Sequence, residues 1–229
     1  MASGWISSGP ETSRFLIHYG AKPDKVWEYP FSSLQEADIL AQTLSPEEKR
    51  SLRRRLNIPE EKVILSIGQF IPRKGFDILL KAAAELDPGI GIYIVGGEPT
   101  EEYLQLAQSL GLTNVHFVGF MKKEELMHYY HAADLFVLAT REDIWGLVIN
   151  EAMACGLPVI TTDRCVAGLE LIRDGVNGYI VPVEDPASLA DKIREAFEKD
   201  LTAMGEAALE AIRPYTIENM ARTHLEILK

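Results

Sequence analysis

The sequence predicts an α/β fold, a doubly wound parallel sheet with helices on both faces, and three observations carry that expectation. From residue 62 onward, short β-branched runs alternate with helical patterns of period near 3.6. The 229 residues are 47% hydrophobic and 25% charged, enough apolar material for a substantial buried core. No repeat at solenoid spacing and no low-complexity tract interrupts the alternation.

Residues 1–38 stand outside this pattern. "GWISSG", "ETSRFLIHYG" and "KVWEYPF" read as a strand, a helix and a strand belonging to some other sheet, with Trp5, Phe15, Trp27 and Phe31 as its apolar surface. The stretch "SPEEKRSLRRRLNIPEEK" follows. Its Arg53, Arg54 and Arg55 could attract an anionic membrane surface, but Glu47, Glu48, Glu60 and Glu61 flank them, so a solvated helix laced with ion pairs is expected. The main domain, residues 39–229, then runs in order. "KVILSIGQF" is a strand, "GFDILLKAAAEL" a helix, "GIYIVGG" a strand, "TEEYLQLAQSLG" a helix with a glycine stop, and "NVHFVGF" a strand. "KKEELMHYYHAAD" is a helix, "LFVLAT" a strand, "VINEAMACG" a helix, "PVITTD" a strand and "GLELIRD" a short helix before the "DGVNGYIVP" turn and strand. Three helical patterns close the chain: "PASLADKIREAFEKD", "LTAMGEAALEAI" and "TIENMARTHLEIL".

Composition narrows the function. With 23 Lys plus Arg against 34 Asp plus Glu, the net charge of −11 disfavours nucleic acid as a partner. Cys155 and Cys165 have neither a disulfide framework nor metal-ligand spacing, and "MASGWISSGPETS" lacks the basic flank and apolar core of a signal peptide. No apolar run reaches the length of a membrane span. A soluble, cytoplasmic protein is expected. His18, His116, His128, His131 and His224 share no loop with an acid at ligand spacing, and no Asp-x-Asp pair is present, so no metal site is expected.

Ligands of open α/β sheets bind beyond the carboxyl ends of the strands. After the first main strand, "GQFIPRKG" offers Gly68 for close backbone approach, with Arg73 and Lys74 as cations suited to a diphosphate. Taken alone, this turn reads more readily as two solvated cations on a loop. After "LFVLAT", Gly146 begins a helix whose first amides, near Leu147 and Val148, form an anion site. Asp143 precedes that helix and Glu151 follows one turn in. Each has an ordinary reading, as a turn former and as an acid complementing the helix dipole. Together they bracket an anion site with two carboxylates, which suits a ligand with hydroxyls on both sides of a phosphate.

"SIGQFIPRKGFDILLKAAAEL", "YIVGG", "VHFVGF", "HAADLFVLAT", "EDIWGLVINEAMACGLPVITT" and "GLELIRDGVNGYIV" occur in an order that resembles the C-terminal, donor-binding half of a GT-B glycosyltransferase of family 4, the retaining group. The resemblance covers roughly residues 20–229 and implies a Rossmann-like domain. "GWISSGPETSRFLIHYGAKPDKVWEYPFSSL" resembles the last strand, helix and strand of the partner N-terminal Rossmann domain and its crossover, so residues 1–38 are expected to be a remnant of that domain. The family motif, an acid, seven residues, then Glu, is filled by Asp143 and Glu151, with Asp where Glu is more usual. The resemblance implies that Asp143 holds donor sugar hydroxyls, Glu151 the ribose and Lys74 the diphosphate. Gln69 stands where the family often has Arg, and Arg73 is the nearest substitute. Met121 lies where the family's loop passes the nucleobase.

The implied activity is metal-independent transfer of a sugar, with retention, from a UDP- or GDP-linked donor to the hydroxyl of an acceptor saccharide or glycolipid, as in polysaccharide synthesis. Asp143, Lys74 and Arg73 are the expected catalytic groups. With one Rossmann domain, the chain is expected to bind donor without full activity. The full enzyme could sit peripherally at the inner face of a membrane. Residues 1–38 are expected to dock on the main domain, stay mobile or pair two copies as a homodimer. Two alternatives remain at this stage: a non-catalytic nucleotide-sugar-binding module or subunit, and half of a nucleotide-sugar epimerase.

Overall fold

The computed structural model describes residues 4–229. It opens with β1 (Trp5–Ser7), α1 (Pro10–His18) and β2 (Val26–Glu28), whose strands pair in parallel as a separate two-stranded sheet. Helix α2 (Pro46–Leu56) leads into the main body, its first turn closed by Ser45 and Glu48, which satisfy each other's backbone amides. There β3 (Lys62–Ile67), α3 (Phe76–Ala83), β4 (Ile90–Val95), α4 (Glu101–Ser109), β5 (Val115–Val118), α5 (Lys123–Ala132) and β6 (Leu135–Leu138) follow one another. The chain continues through α6 (Leu147–Ala154), β7 (Val159–Thr162), α7 (Val166–Leu171), β8 (Gly178–Val181), α8 (Pro186–Glu198), α9 (Leu201–Ile212) and α10 (Ile217–Ile227).

Six strands form one parallel sheet in the order β5-β4-β3-β6-β7-β8. The order reverses between β3 and β6, which creates a crevice at the strand ends there. Alternating residues divide the core. Val63, Leu65, Tyr93, Val95, Phe136 and Leu138 face a layer containing α5, α6, α7 and α9, while Ile64, Ile92, Ile94, Leu135 and Val137 face α3, α4 and α8. Each such side chain taken from water contributes about 1.5–3 kcal/mol, which explains why strands buried on both faces read as nearly continuous apolar runs.

The expected short helix "GLELIRD" is displaced. Helix α7 starts at Val166 and ends at Leu171, because Arg173 N donates to Asn177 Oδ1 (2.7 Å) and Ile180 N to Asp174 Oδ1 (2.8 Å), turning the chain into β8. The solvated reading of Arg53 is also corrected. Lys49, Leu52, Arg53 and Leu56 share the face of α2 that meets α5, and Arg53 is buried. Its Nε donates to Ala132 O (2.8 Å), its Nη1 to Glu61 O, and its Nη2 lies 2.6 Å from Asp134 Oδ1. Arg54 and Arg55 are exposed, as expected.

Part of the N-terminal segment docks on the main body. Phe31 packs against the core, Asn150 Nδ2 donates to Phe31 O (3.3 Å), Ile217 N to Leu34 O (2.7 Å), and the Tyr29 and His224 rings lie 4.5 Å apart. Phe15 remains exposed. Among the described residues, no helix is long and apolar enough to cross a membrane.

Candidate functional site

The loops after β3 and β6 meet at the crevice where the strand order reverses. Pro72–Lys74 form a 3-10 turn that ends on Gly75, whose φ of 65° is left-handed and whose added Cβ would lie 1.9 Å from Ala139 O. Only glycine permits that approach. Behind the same loop, a Cβ on Gly96 would lie 1.7 Å from Gly68 O, so the turn rests on backbone from both neighbouring strands. Thr140 Oγ1 (2.9 Å) and Arg141 N (2.7 Å) both donate to Arg73 O and join the two loops.

This joining brings together residues 69 apart in sequence. Lys74 Nζ lies 2.5 Å from Asp143 Oδ2, and both side chains are 13% exposed. Arg73 Nη1 lies 3.5 Å from the same oxygen and donates to Glu142 O (2.9 Å), with its side chain 45% exposed. Lys74 therefore forms the inner, largely desolvated pair and Arg73 a longer, more exposed outer contact. Gly68 lies under the aliphatic part of Lys74, while Gln69 is exposed beside it.

Asp143 is held by its backbone. Asp143 N donates to Arg164 O (3.0 Å) and Val166 N to Asp143 O (3.2 Å), so the turn is stapled to the loop after β7. Trp145 anchors it from below: the indole is buried, donates to Asn150 Oδ1 (2.9 Å) and meets Phe31 edge-on at 5.4 Å. Burial pushes the Cys165 thiol beneath this turn up to about 11, which leaves it an inert packing group at neutral pH.

Gly146 caps α6, and the amides of Leu147 and Val148 point out of the first turn, where an anion is favoured. Four residues further on, Glu151 accepts a 2.7 Å hydrogen bond from the hydroxyl of Tyr130, a fully buried side chain. Burial holds the Glu151 carboxyl above the usual range, against the opposing pull of Tyr130 and Lys123. The bond is made through Oε2. Met121 ends the loop after the edge strand β5, with its side chain packed on the core and Phe120 exposed beside it.

Two cations and one carboxylate are thus assembled beside the N-terminal turn of α6, and a second carboxylate lies further along the same helix. Such a set can neutralise a multiply charged anion and accept hydrogen bonds from hydroxyls on either side of it. Beside Asp143 opens a cleft of about 880 Å³, walled by Glu11, Thr12 and Phe15 of α1 on one side and by Ile144 and Arg164 on the other. Among the described residues, no three His, Cys, Asp or Glu side chains are grouped as a metal ion would require. Sequence reasoning missed Tyr130, which hydrogen-bonds Glu151, Trp145, which packs beneath the turn carrying Asp143, and Arg141, which ties the loops together.

Residues 48–211 match the sequence family described as glycosyl transferases group 1, and the chain belongs to that family. Its relatives include the D-inositol 3-phosphate glycosyltransferase of Geodermatophilus obscurus, 33% identical over 204 residues, 82% of this chain and 44% of the relative. The enzyme of that name from a Nocardioides species is 34% identical over 243 residues, 96% of this chain and 51% of the relative. The chain thus spans about half the length of these curated relatives. Sucrose-phosphate synthase from Thermosynechococcus elongatus superposes with a TM-score of 0.83 at 26% identity, over 100% of this chain and 58% of that one. Anabaena HepE in complex with UDP gives a TM-score of 0.84 at 25% identity, over 100% and 64%. The family and the α/β fold read from the sequence are both found.

Proposed function

We propose that this glycosyl transferase chain forms the donor-binding part of a retaining enzyme that moves a sugar from a nucleoside diphosphate sugar to an acceptor hydroxyl. The observation that supports the reading is the pairing of Lys74 and Arg73 with Asp143, three residues ahead of the α6 N-terminus, with Glu151 further along that helix. In this assignment the diphosphate lies against Lys74, Arg73 and the amides of Leu147 and Val148. Glu151 Oε1 accepts from the ribose, and Asp143, which faces the cleft, accepts from the donor sugar. As the bond from the anomeric carbon to the diphosphate breaks, negative charge grows on the leaving oxygen. Cations and amides already aimed there stabilise it without reorganising. Lys74, being desolvated, contributes more than Arg73.

The complex of HepE with UDP supports a uridine diphosphate donor, and the D-inositol 3-phosphate relatives support a polyol as acceptor. Retention rests on the family 4 resemblance. We assign β1, α1 and β2 to a second Rossmann domain that closes the cleft over the sugar, since the two strands form a sheet of their own and α1 walls the cleft that Asp143 also lines. Calorimetric titration of the purified chain with UDP, GDP and ADP in the presence of EDTA tests the reading. One diphosphate is expected to bind, and Lys74→Ala is expected to weaken it by about 10-fold or more, the loss of one charge-assisted hydrogen bond. Binding that vanishes with EDTA, or that is indifferent to Lys74→Ala, refutes it.

A further inference from the structure

Arg141 lines the cleft beside Asp143, where a cation invites assignment as a ligand contact. Its bonding excludes that role. Nη1 donates to Pro72 O (2.6 Å) and Asp77 Oδ1 (2.8 Å), Nη2 to Asp77 Oδ2 (2.8 Å) and Glu184 Oε2 (3.1 Å), and Nε to the other oxygen of Glu184. Every guanidinium N–H is committed, and with Lys81 also 3.6 Å from Asp77 the two cations and two carboxylates of this cluster balance. An incoming phosphate would find no free donor of Arg141 there.

Those partners lie on three separate elements: the loop after β3, helix α3 and the loop after β8. Arg141 also grips consecutive carbonyls of one turn, Pro72 O through its side chain and Arg73 O through its main-chain amide. That turn carries Lys74. Glu184 sits at a left-handed φ of 62°, a conformation uncommon outside glycine, and its ion pair with Arg141 helps to hold it there.

We infer that Arg141 is a positioning residue: it fixes the Pro72–Lys74 turn so that Lys74 is aimed at the diphosphate, and touches no ligand itself. This rests on the donor-site reading above. Lysine cannot replace it, because a point charge on a flexible stem cannot satisfy a bidentate carboxylate, a second carboxylate and a carbonyl together.

The test compares affinities of the full chain for UDP and UMP by calorimetry in Arg141→Lys, Lys74→Ala and the double variant, with circular dichroism to check folding. Arg141→Lys is expected to lower the ratio of UDP to UMP affinity about 10-fold, as Lys74→Ala does, and to add almost nothing in the Lys74→Ala background, since residues acting through one group are not additive. A general structural role would instead lower both affinities alike, or only thermal stability. If Arg141→Lys does not fold, Glu184→Gln and Asp77→Asn replace it, and each is expected to shift the same ratio. An unchanged ratio, or additive losses in the double variant, overturns the inference alone. Failure of the unaltered chain to bind UDP, GDP or ADP overturns the donor-site reading, and the inference with it.

Discussion

Replacing Asp143 by asparagine should separate diphosphate binding from sugar binding, and the direction of the first effect is unusual for a site residue. In the structure, Lys74 Nζ is 2.5 Å from Asp143 Oδ2, so a phosphate that reaches Lys74 must share it with a carboxylate. A phosphate oxygen at ordinary hydrogen-bond distance from the tetrahedral Nζ would lie roughly 4–5 Å from that carboxylate oxygen. At an effective dielectric of about 20, two unit charges at that separation repel by about 3–4 kcal/mol, an upper bound since the crevice is open to water on one side. Removing the charge but keeping the shape is therefore expected to tighten UDP binding by roughly 5- to 50-fold, taking about 1–2.3 kcal/mol as the realised part. The intact UDP-sugar should gain less or lose affinity, because Asp143 is also the acceptor assigned to the sugar hydroxyls. Without ligand, the variant should melt earlier, since Lys74 would be left desolvated without its inner partner. Calorimetry with UDP and the UDP-sugars at one ionic strength, with melting curves alongside, measures all three. Weaker binding of UDP itself by Asp143→Asn would refute the reasoning, because it would mean that the carboxylate supports the diphosphate.

Two further outcomes follow from the geometry. Burial raises the Glu151 carboxyl, with Tyr130, Lys123, Asp38 and Cys155 facing it, so the ionised form costs stability above the folded-state pKa, and that cost disappears below the unfolded-state value. Glu151→Gln should then raise the melting temperature at pH 7–8, by about 2–4 °C per kcal/mol relieved, with a smaller gain on acidification, while weakening UDP about 10-fold; an equal gain at every pH would disprove the linkage. At Gly75 an added Cβ would meet Ala139 O at 1.9 Å on a backbone of φ 65°, whereas at Gly119 it would meet nothing within 4 Å. Gly75→Ala should cost about 2–4 kcal/mol in urea unfolding and abolish UDP binding, and Gly119→Ala about 1 kcal/mol or less; comparable costs would show that the close approach is unimportant.

The sheet was legible because β3, β4, β6 and β7 are short, mostly apolar runs buried on both faces, and the strand-end rule then selected the loops that hold Lys74 and Asp143. Their direct pairing was not legible, because residues 69 apart meet only through the β3-to-β6 neighbourhood, which local periodicity does not encode. The arginine run illustrates a signal that was present and passed over. Positions 49, 52, 53 and 56 recur at helical spacing, so the stripe holding Leu52 and Leu56 carries Arg53 inward, while Arg54 and Arg55 turn outward. Tyr130 and Arg141 act through partners on distant segments, Glu151 in one case and Asp77 and Glu184 in the other, and their residue types are common enough to carry no warning.

The backbone packing behind the Pro72–Lys74 turn also governs how this site can change over generations. Where Gly75 presses on Ala139 O and Gly96 on Gly68 O, main chain meets main chain, and no side chain lies between them whose exchange could adjust the fit. Variation there is nearly all loss. The loops that carry exposed Phe120 and Ile144 have room in which one residue can replace another without moving the frame. A library randomised at Phe120, Ile144 and Arg164 should yield folded members with altered preference for base or sugar, whereas one randomised at Gly75 and Gly96 should return almost only the parent. On the proposed donor-site reading, the molecule separates a fixed grip on the common part of its donors from an adjustable reading of what distinguishes them.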